Sequence, residues 1–392
     1  MTEKKEAEFD GVICFGGVDW WYHNRGHYDL QMMREISKEF PVLYINSIGM
    51  RPPRVSEGAM FFTRVKRKLK SLFRGLVPVR PNFTVYSPAT LPGGGRGKFG
   101  SWIAKKALSA QVRFAAWRLG IKRPLVWVAC PPGETVVEDL KPVKIIYQRT
   151  DRFEDFKGVD PVRIKGFDVR LKGMADIVLF CARELYNAEK HENPGSLFVD
   201  HGVDYEQFKE AGVAFDEKGE EPEDVKELPK PRVGFIGGID AHTFDPDLFV
   251  KVAQQTPELT YVMVGGCSLP DGWCPLPNVH LLGQRPYEQV ASYMAASDVL
   301  IMPWNQSDWI KACNPVKMKE YLAVGRPVIS TYFPEVDYFS DHIQVARTAD
   351  DFAAAIRKSI KNKPTVQKQR ARVKDHTWQV KAQEVLACLR QT

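Results

Sequence analysis

Asn314-Pro315-Val316-Lys317-Met318-Lys319-Glu320-Tyr321-Leu322-Ala323-Val324-Gly325-Arg326-Pro327-Val328-Ile329-Ser330 is the run on which the fold turns. Ahead of it, Val299–Met302 is a short apolar stretch with the pattern of a buried strand, and Pro303-Trp304-Asn305 begins an irregular loop. Val316–Val324 reads as a helix stopped by Gly325, and Val328–Ser330 as the next strand. Strand, helix and strand in that order imply a parallel sheet. Asn314 and Pro315 fall in the first helical turn, where proline is tolerated because its missing N–H would have no partner anyway. The free amides of that turn, with the helix dipole, make an anion site. Lys317 adds a point charge for a phosphate. Glu320 lies farther in, where a carboxylate can accept from two ribose hydroxyls.

The same alternation extends outward in both directions. Towards the C-terminus, Val233–Ile236 reads as a strand ending in Gly237-Gly238, Asp245–Gln255 as a helix, and Tyr261–Val264 as a strand ending in Gly265-Gly266. Val279–Leu282 is a further strand, Tyr287–Ala295 and Asp350–Ser359 are helices, and Gln367–Leu389 reads as one long helix. Towards the N-terminus, Val12–Phe15 is a strand ending in Gly16-Gly17. Strands follow at Val42–Asn46, Phe83–Ser87, Val126–Ala129, Lys144–Tyr147, Ile177–Phe180 and Leu197–Val199, with helices at His27–Phe40 and Ala104–Leu119. Residues 206–230 are acidic, contain Gly and Pro, and are poor in large apolar groups, which predicts a linker. A chain of 392 residues suits two domains. The expectation is therefore an α/β protein with two Rossmann-like domains facing a cleft: residues 1–205, a linker over 206–230, residues 231–366, and a terminal helix over 367–392. Ligands of such sheets bind outside the carboxyl ends of the strands. The glycine pairs there have two readings: plain tight turns, or backbone left bare for a diphosphate.

Composition narrows the function. Hydrophobic residues make up 44% and charged residues 26%, a globular balance with no apolar run long enough to cross a bilayer. The first residues lack the apolar stretch of a signal peptide. The seven cysteines show no CxxC and no Cys/His cluster, which suits reduced thiols in a cytoplasm and gives no metal site. The net charge of +7 is unevenly spread. No acidic residue lies between Glu57 and Glu134, while fifteen Lys and Arg fall between Arg64 and Arg123. Such a segregated patch points to a polyanionic neighbour. No nucleic-acid motif accompanies it, which leaves phospholipid headgroups or a phosphorylated acceptor.

Asn314–Ser330 resembles the donor-binding signature of GT-B glycosyltransferases of family 4, and Ala295–Trp304 is similar to the strand that delivers it. Gly173–Tyr186, His201–Phe208 and Val233–Asp240 are similar to the family's end of the first domain and opening strand of the second. His376–Leu389 is similar to its terminal helix, which crosses back to the first domain. The nearest flavour is that of bacterial surface-polysaccharide enzymes, teichuronic-acid-type ones included. The resemblance implies a hexosyltransferase that takes a nucleotide-diphosphate sugar, retains anomeric configuration, and works without metal or other cofactor. It implies ribose binding by Glu320, a cradle for diphosphate and sugar from Asn314, Pro315 and Val316, an opposite wall from Gly237 and Gly238, and approach by Gly16 and Gly17 from the first domain. Two features depart from the family pattern. Ala312 stands where a second carboxylate is common, and Gly238-Ile239-Asp240 supplies no basic residue, so Lys317 or Lys311 has to compensate. These departures keep open a degenerate sugar-nucleotide or lipid-binding protein, and a nucleotide-sugar epimerase is a further alternative.

The front-face chemistry implied needs positioning and electrostatics rather than an enzyme nucleophile. Asp19, Asp151 and Lys317 are the catalytic candidates. Asp19 opens an aromatic and polar run in which Trp20, His23, Arg25 and His27 are candidates to hold an acceptor. The alternatives are a solvated loop whose rings fold back on the core, and, for His27, simply the start of a helix. For Asp151 the alternative is helix capping. Met60–Arg74 reads as a basic amphipathic helix with Arg64, Lys66, Arg67, Lys68, Lys70 and Arg74 beside its apolar face. Such a helix suits an anionic membrane surface, or else packs as an ordinary surface helix. The partners expected are a nucleotide sugar, a lipid-linked or glycan acceptor and an anionic membrane, with no nucleic acid. The expected location is cytoplasmic, peripheral at the inner face of the cell membrane, with the basic region 59–123 facing it.

Overall fold

The computed structural model describes residues 9–22, 26–46, 48–50, 66–67, 70–90, 97–156 and 158–391. The chain divides into two compact units. One comprises Met1–Cys181, Leu185–Asp200 and Ala382–Thr392, and the other comprises Ala182–Glu184 with His201–Lys381.

The first unit is built on an eight-stranded sheet of β1 (Gly11–Phe15), β2 (Val42–Ile45), β3 (Leu76–Arg80), β4 (Phe83–Tyr86), β5 (Pro124–Val128), β6 (Lys144–Arg149), β7 (Ile177–Phe180) and β8 (Ser196–Phe198). Their order is β3-β4-β2-β1-β5-β6-β7-β8, and only β3 runs antiparallel to its neighbour. Every residue of β1, β2, β5 and β7 is buried, as a sheet covered on both faces requires. Between β1 and β5 the order of strands reverses, so the loops after these two strands diverge and leave a crevice at their carboxyl ends.

The second unit repeats the plan with six parallel strands: β9 (Arg232–Ile236), β10 (Thr260–Val264), β11 (Val279–Gly283), β12 (Val299–Met302), β13 (Val328–Ser330) and β14 (Ile343–Val345). The order β11-β10-β9-β12-β13-β14 puts the reversal between β9 and β12. Helix Val316–Val324 lies against this sheet with Met318 to Val324 all buried. The Ile236 N–H donates to the Tyr321 hydroxyl at 3.0 Å and ties the helix to the end of β9.

Three expectations are corrected. Residues 206–230 are not a linker: Tyr205–Lys218 and Glu223–Lys226 are helices of the second unit. Gly212 lets the longer one close on the end of helix Val316–Val324, since a Cβ there would lie 2.3 Å from the Val324 carbonyl oxygen. Gly219, at φ +67°, caps the same helix. The tail is not one helix but two, Val366–Ala371 and Trp378–Gln391, and between them the chain is held by the Val203 N–H donating to the His376 carbonyl. The loop before Asn314 contains a helical turn, Asp308–Lys311, and Pro315 is the cap of the following helix rather than part of its first turn.

At the end of β6 the Arg149 side chain is fully buried. It binds Glu154 through two bonds of 2.9 Å and Glu189 through two of 3.1 Å, and donates to the Asp151 carbonyl at 2.9 Å. Lys172 closes the cluster on Asp168 and Glu192. Arg149→Ala strands the buried Asp168 carboxylate, 3.2 Å from Arg149, and removes the partner of the half-buried Glu154 and Glu189, so it is expected to destabilise the first unit by about 3–5 kcal/mol. Chemical denaturation followed by a probe in that unit measures the loss, and a midpoint equal to wild type would refute the assignment.

Candidate functional site

In the second unit the chemistry gathers where the strand order reverses. After β9 the backbone turns at Gly237, with φ +154°, and after β10 at Gly265, with φ +155°. The two are in contact: a Cβ on Gly265 would lie 1.8 Å from the Gly237 carbonyl oxygen. A Cβ on Gly237 would lie 2.2 Å from Lys317 Nζ. The bare backbone therefore makes room for the lysine. Lys317 stands in the first turn of helix Val316–Val324, and its Nζ lies 4.9 Å from the centre of the Phe235 ring and 5.4 Å from that of Trp304. Phe235 belongs to β9 and Trp304 follows β12, so the ammonium sits at the reversal point between two ring faces that favour a cation. Burial lowers its pKa below the ordinary lysine value, and the charge of Glu320 resists that shift.

Glu320 lies one turn farther along the same helix and is buried. The Tyr287 hydroxyl is 3.2 Å from Glu320 Oε1 and 3.3 Å from Asp204 Oδ2, so one phenol proton serves two carboxylates. Burial pushes the Glu320 pKa up to about 7, against the pull of Tyr287 and Lys317, and Asp204 adds to the rise. Asn314 and Pro315 are buried and Val316 half-buried just ahead. The Val316 and Lys317 N–H groups open the helix, where its dipole favours an anion, and the Met318 N–H donates to the Pro315 carbonyl at 3.3 Å. Gly238 leads into Asp240, whose carboxylate accepts from the His242 and Thr243 N–H groups at 2.9 and 3.0 Å and shapes the turn. Ala312 ends the helical turn Asp308–Lys311, and Lys311 is paired with Asp308 there. Asp245-Pro246-Asp247 has the lettering of a DxD metal motif, but Asp245 caps helix Pro246–Gln255 by accepting from the Leu248 N–H.

In the first unit the Gly16-Gly17 turn has a packing reason. A Cβ on Gly16 would fall 2.0 Å from the Tyr44 ring and hydroxyl. The buried Asp29 holds this turn: its Oδ2 accepts from the Gly17 N–H at 2.8 Å and from the Tyr44 hydroxyl at 2.7 Å. Asp29 was not singled out from sequence. Its signal there is a carboxylate in the first turn of the helix that follows a strand-end glycine pair.

Asp19 Oδ1 accepts from the Trp21 N–H at 2.9 Å. Trp20, expected to hold an acceptor, is instead a core residue. Its ring packs against Tyr44 and Phe83, and its backbone N–H donates to Asn46 Oδ1. Burial of a ring that size on the sheet outweighs exposure to a sugar. Among the described residues of the loop the half-buried rings are Trp21 and Tyr22, and these carry the guanidinium groups of Arg74, at 4.1 Å, and Arg67, at 5.1 Å. His27 is exposed at the start of helix Tyr28–Ile36. Asp151 follows β6, where burial raises its pKa to about 6, while Thr150 and Arg149 oppose the rise. Lys66, Arg67 and Lys70 are exposed, and Arg74 is half-buried. His23, Arg25, Arg64 and Lys68 lie outside the described residues.

Residues 230–362 match the family described as Glycosyl transferases group 1. A 170-residue stretch is 31% identical to a Bacillus subtilis (strain 168) protein carried under the name teichuronic acid biosynthesis glycosyltransferase TuaH, covering 40% of this chain and 40% of that protein. Solved structures extend the likeness over the whole chain. Sucrose-phosphate synthase of Thermosynechococcus elongatus has a TM-score of 0.68 at 14% identity, covering 97% of this chain and 98% of that one. Anabaena HepE in complex with UDP has a TM-score of 0.64 at 13% identity, covering 97% and 99%. HepE in complex with UDP-glucose has a TM-score of 0.60 at 14% identity, covering 98% of each chain. The fold is GT-B, two parallel-sheet α/β units.

Because Glu320 titrates near 7 rather than at its ordinary 4.5, its stabilising protonated form is fully present at low pH and lost as pH rises through 7. Relative to Glu320→Gln, wild type is expected to lose stability between pH 5 and 8, by up to roughly 3 kcal/mol. Paired melting curves across that range measure the difference. A constant gap would mean that Glu320 is not held protonated.

Proposed function

We propose that this chain is a glycosyltransferase that moves a hexose-type sugar from a nucleoside-diphosphate sugar to a lipid-linked or glycan acceptor at a membrane surface, with retention, in cell-surface polysaccharide assembly. One observation carries the reading: the Lys317 ammonium at the strand reversal, backed by a bare Gly237 and followed one turn later by the buried Glu320. That spacing suits a nucleoside diphosphate. The phosphates meet Lys317 and the first amides of the helix, and the ribose hydroxyls meet the Glu320 carboxylate. Binding two hydroxyls favours the ionised carboxylate, so a group half-protonated at neutral pH gives up its proton to the site's needs. The UDP and UDP-glucose complexes of HepE make uridine diphosphate the first donor to try.

In the reaction, the bond from the anomeric carbon to the diphosphate oxygen breaks and its electron pair leaves with the nucleotide. The acceptor hydroxyl bonds to the same face of that carbon, and its proton passes to the departing phosphate oxygen. Lys317 and the helix amides stabilise the negative charge as it develops, the role for which fixed dipoles in a dry site are best suited. Asp151, with its raised pKa, and Asp19 stand at strand ends of the first unit as groups for the acceptor side. With Ala312 supplying no carboxylate near the sugar, the donor is held chiefly through its nucleotide.

A thermal-shift screen with UDP-, GDP-, ADP- and TDP-sugars tests the donor. One of them, near a hundred times its dissociation constant, should add about 2.7 kcal/mol of stability. Glu320→Ala should abolish that shift with the fold intact. Lys317→Ala and Gly237→Ala should both weaken donor binding by at least roughly tenfold, the second because its methyl displaces Nζ. Full donor affinity in Glu320→Ala would refute the ribose role. Tight donor binding with no sugar transfer to any membrane extract would leave a donor-binding protein without transferase activity.

A further inference from the structure

Helix Gly97–Arg118 turns its largest apolar side chains outward. Leu108, Val112, Ala115 and Ala116 are buried on one face and do its packing. On the opposite face Phe99 is 74% exposed, Trp102 56%, Phe114 57% and Trp117 69%, with Ile103 beside them. Positions 99, 102, 103, 114 and 117 fall on one side at 100° per residue, as do Lys106, Arg113 and Arg118, which are also exposed. Phe99 stacks with Trp102 at 6.2 Å, and Phe114 pairs with Trp117 at 5.7 Å, so the rings form two clusters at the ends of a line about 27 Å long. A soluble surface rarely carries four exposed rings in one line.

We propose that this outer face is a membrane-docking surface, seated at the boundary between headgroups and acyl chains of an anionic bilayer with the helix lying flat. The inference deepens the membrane-proximal part of the function proposed above and rests on it only there. Aromatic rings, tryptophan above all, prefer that depth. Arg113 and Arg118 share the face, where long basic side chains reach back to the phosphates, while Lys106 is paired with Asp139 at 3.2 Å. Charge complementarity selects the occupant, because the helix lies within the stretch from Glu57 to Glu134 that contains no acidic residue. A second copy of the same face would meet it with like charge, which opposes self-association. None of the described helices is long and apolar enough to cross a membrane, so the contact is interfacial. Phe73, 90% exposed within the same basic stretch, has the same character.

The test uses the full chain with vesicles of phosphatidylglycerol and phosphatidylcholine, against vesicles of phosphatidylcholine alone. Wild type should sediment with the anionic vesicles, and added salt should weaken the binding. Replacing Phe99, Trp102, Phe114 and Trp117 together with Ser should cut vesicle partitioning at least roughly tenfold. The melting temperature and donor-induced thermal shift should stay as in wild type, because these side chains do no packing. Arg113→Glu with Arg118→Glu should weaken binding to anionic vesicles alone. Partitioning of the four-fold variant equal to wild type would overturn the proposal. So would a wild-type dimer that the same substitutions convert to monomer, or a preference for RNA over anionic vesicles. Donor binding is read separately, so failure on vesicles leaves the donor site standing, and failure of donor binding leaves the docking face standing.

Discussion

Everything in the second unit's site depends on two positions where there is no side chain. Gly237 and Gly265 turn away from adjacent strands with positive φ, and each occupies space a Cβ would close. Gly265 allows the backbone of Gly237 to approach, and Gly237 in turn leaves room for Lys317 Nζ. The lysine is then caught between Phe235 and Trp304, one on each side of the strand reversal. A charge needs partners once taken out of water. Among the described residues its partners include the ring faces of Phe235 and Trp304 and the charges of Glu320 and Asp240.

The contrast with Arg149 in the first unit separates structural charge from functional charge. Arg149 is fully buried where Lys317 is half-buried, but Glu154 and Glu189 saturate it with charge-assisted bonds, and Glu154, Asp168 and Glu189 are all held below the usual carboxylate range by that pairing. Such a cluster has no remaining capacity for a ligand. In the second unit the perturbations run the other way. Lys317 is pushed down and Glu320 up, each by burial, so both are destabilised in their charged forms until something else enters. Groups poised in this manner mark sites more than scaffolds.

Much of this was legible in sequence because short buried strands have a strong local signature. The strands at Val12–Phe15, Val233–Ile236 and Val299–Met302 are seen at β1, β9 and β12, each within a residue or so. The run from Asn314 to Ser330 also placed Lys317 and Glu320 on one helix. What failed did so for physical reasons. Strand β3, Leu76–Arg80, contains Pro78, which an edge position tolerates but which hides the strand pattern. Helix Tyr205–Lys218 has the acidic, Gly-containing, apolar-poor composition of a linker, although Gly212 is a close-packing contact and Gly219 its cap. Trp20 looked like a sugar platform because sequence cannot say which of three consecutive aromatics the sheet will bury. Asp29 went unseen because its value lies in holding a backbone twelve residues away.

The helix Gly97–Arg118 shows the limit most clearly. Periodicity detects a boundary between apolar and polar faces, and this helix has none: aliphatic residues such as Leu108 and Val112 pack inward and the aromatic rings face out. Only knowledge of which face the sheet covers separates the two. Under the membrane docking proposed above, the acid-free stretch and the exposed rings act together, because charge alone gathers a protein loosely at an anionic surface while rings give it depth. On that proposed reading the two units divide the work by chemistry. The second holds a polar, reversible charge site suited to a soluble anion, and the first presents a basic, aromatic exterior suited to an insoluble one.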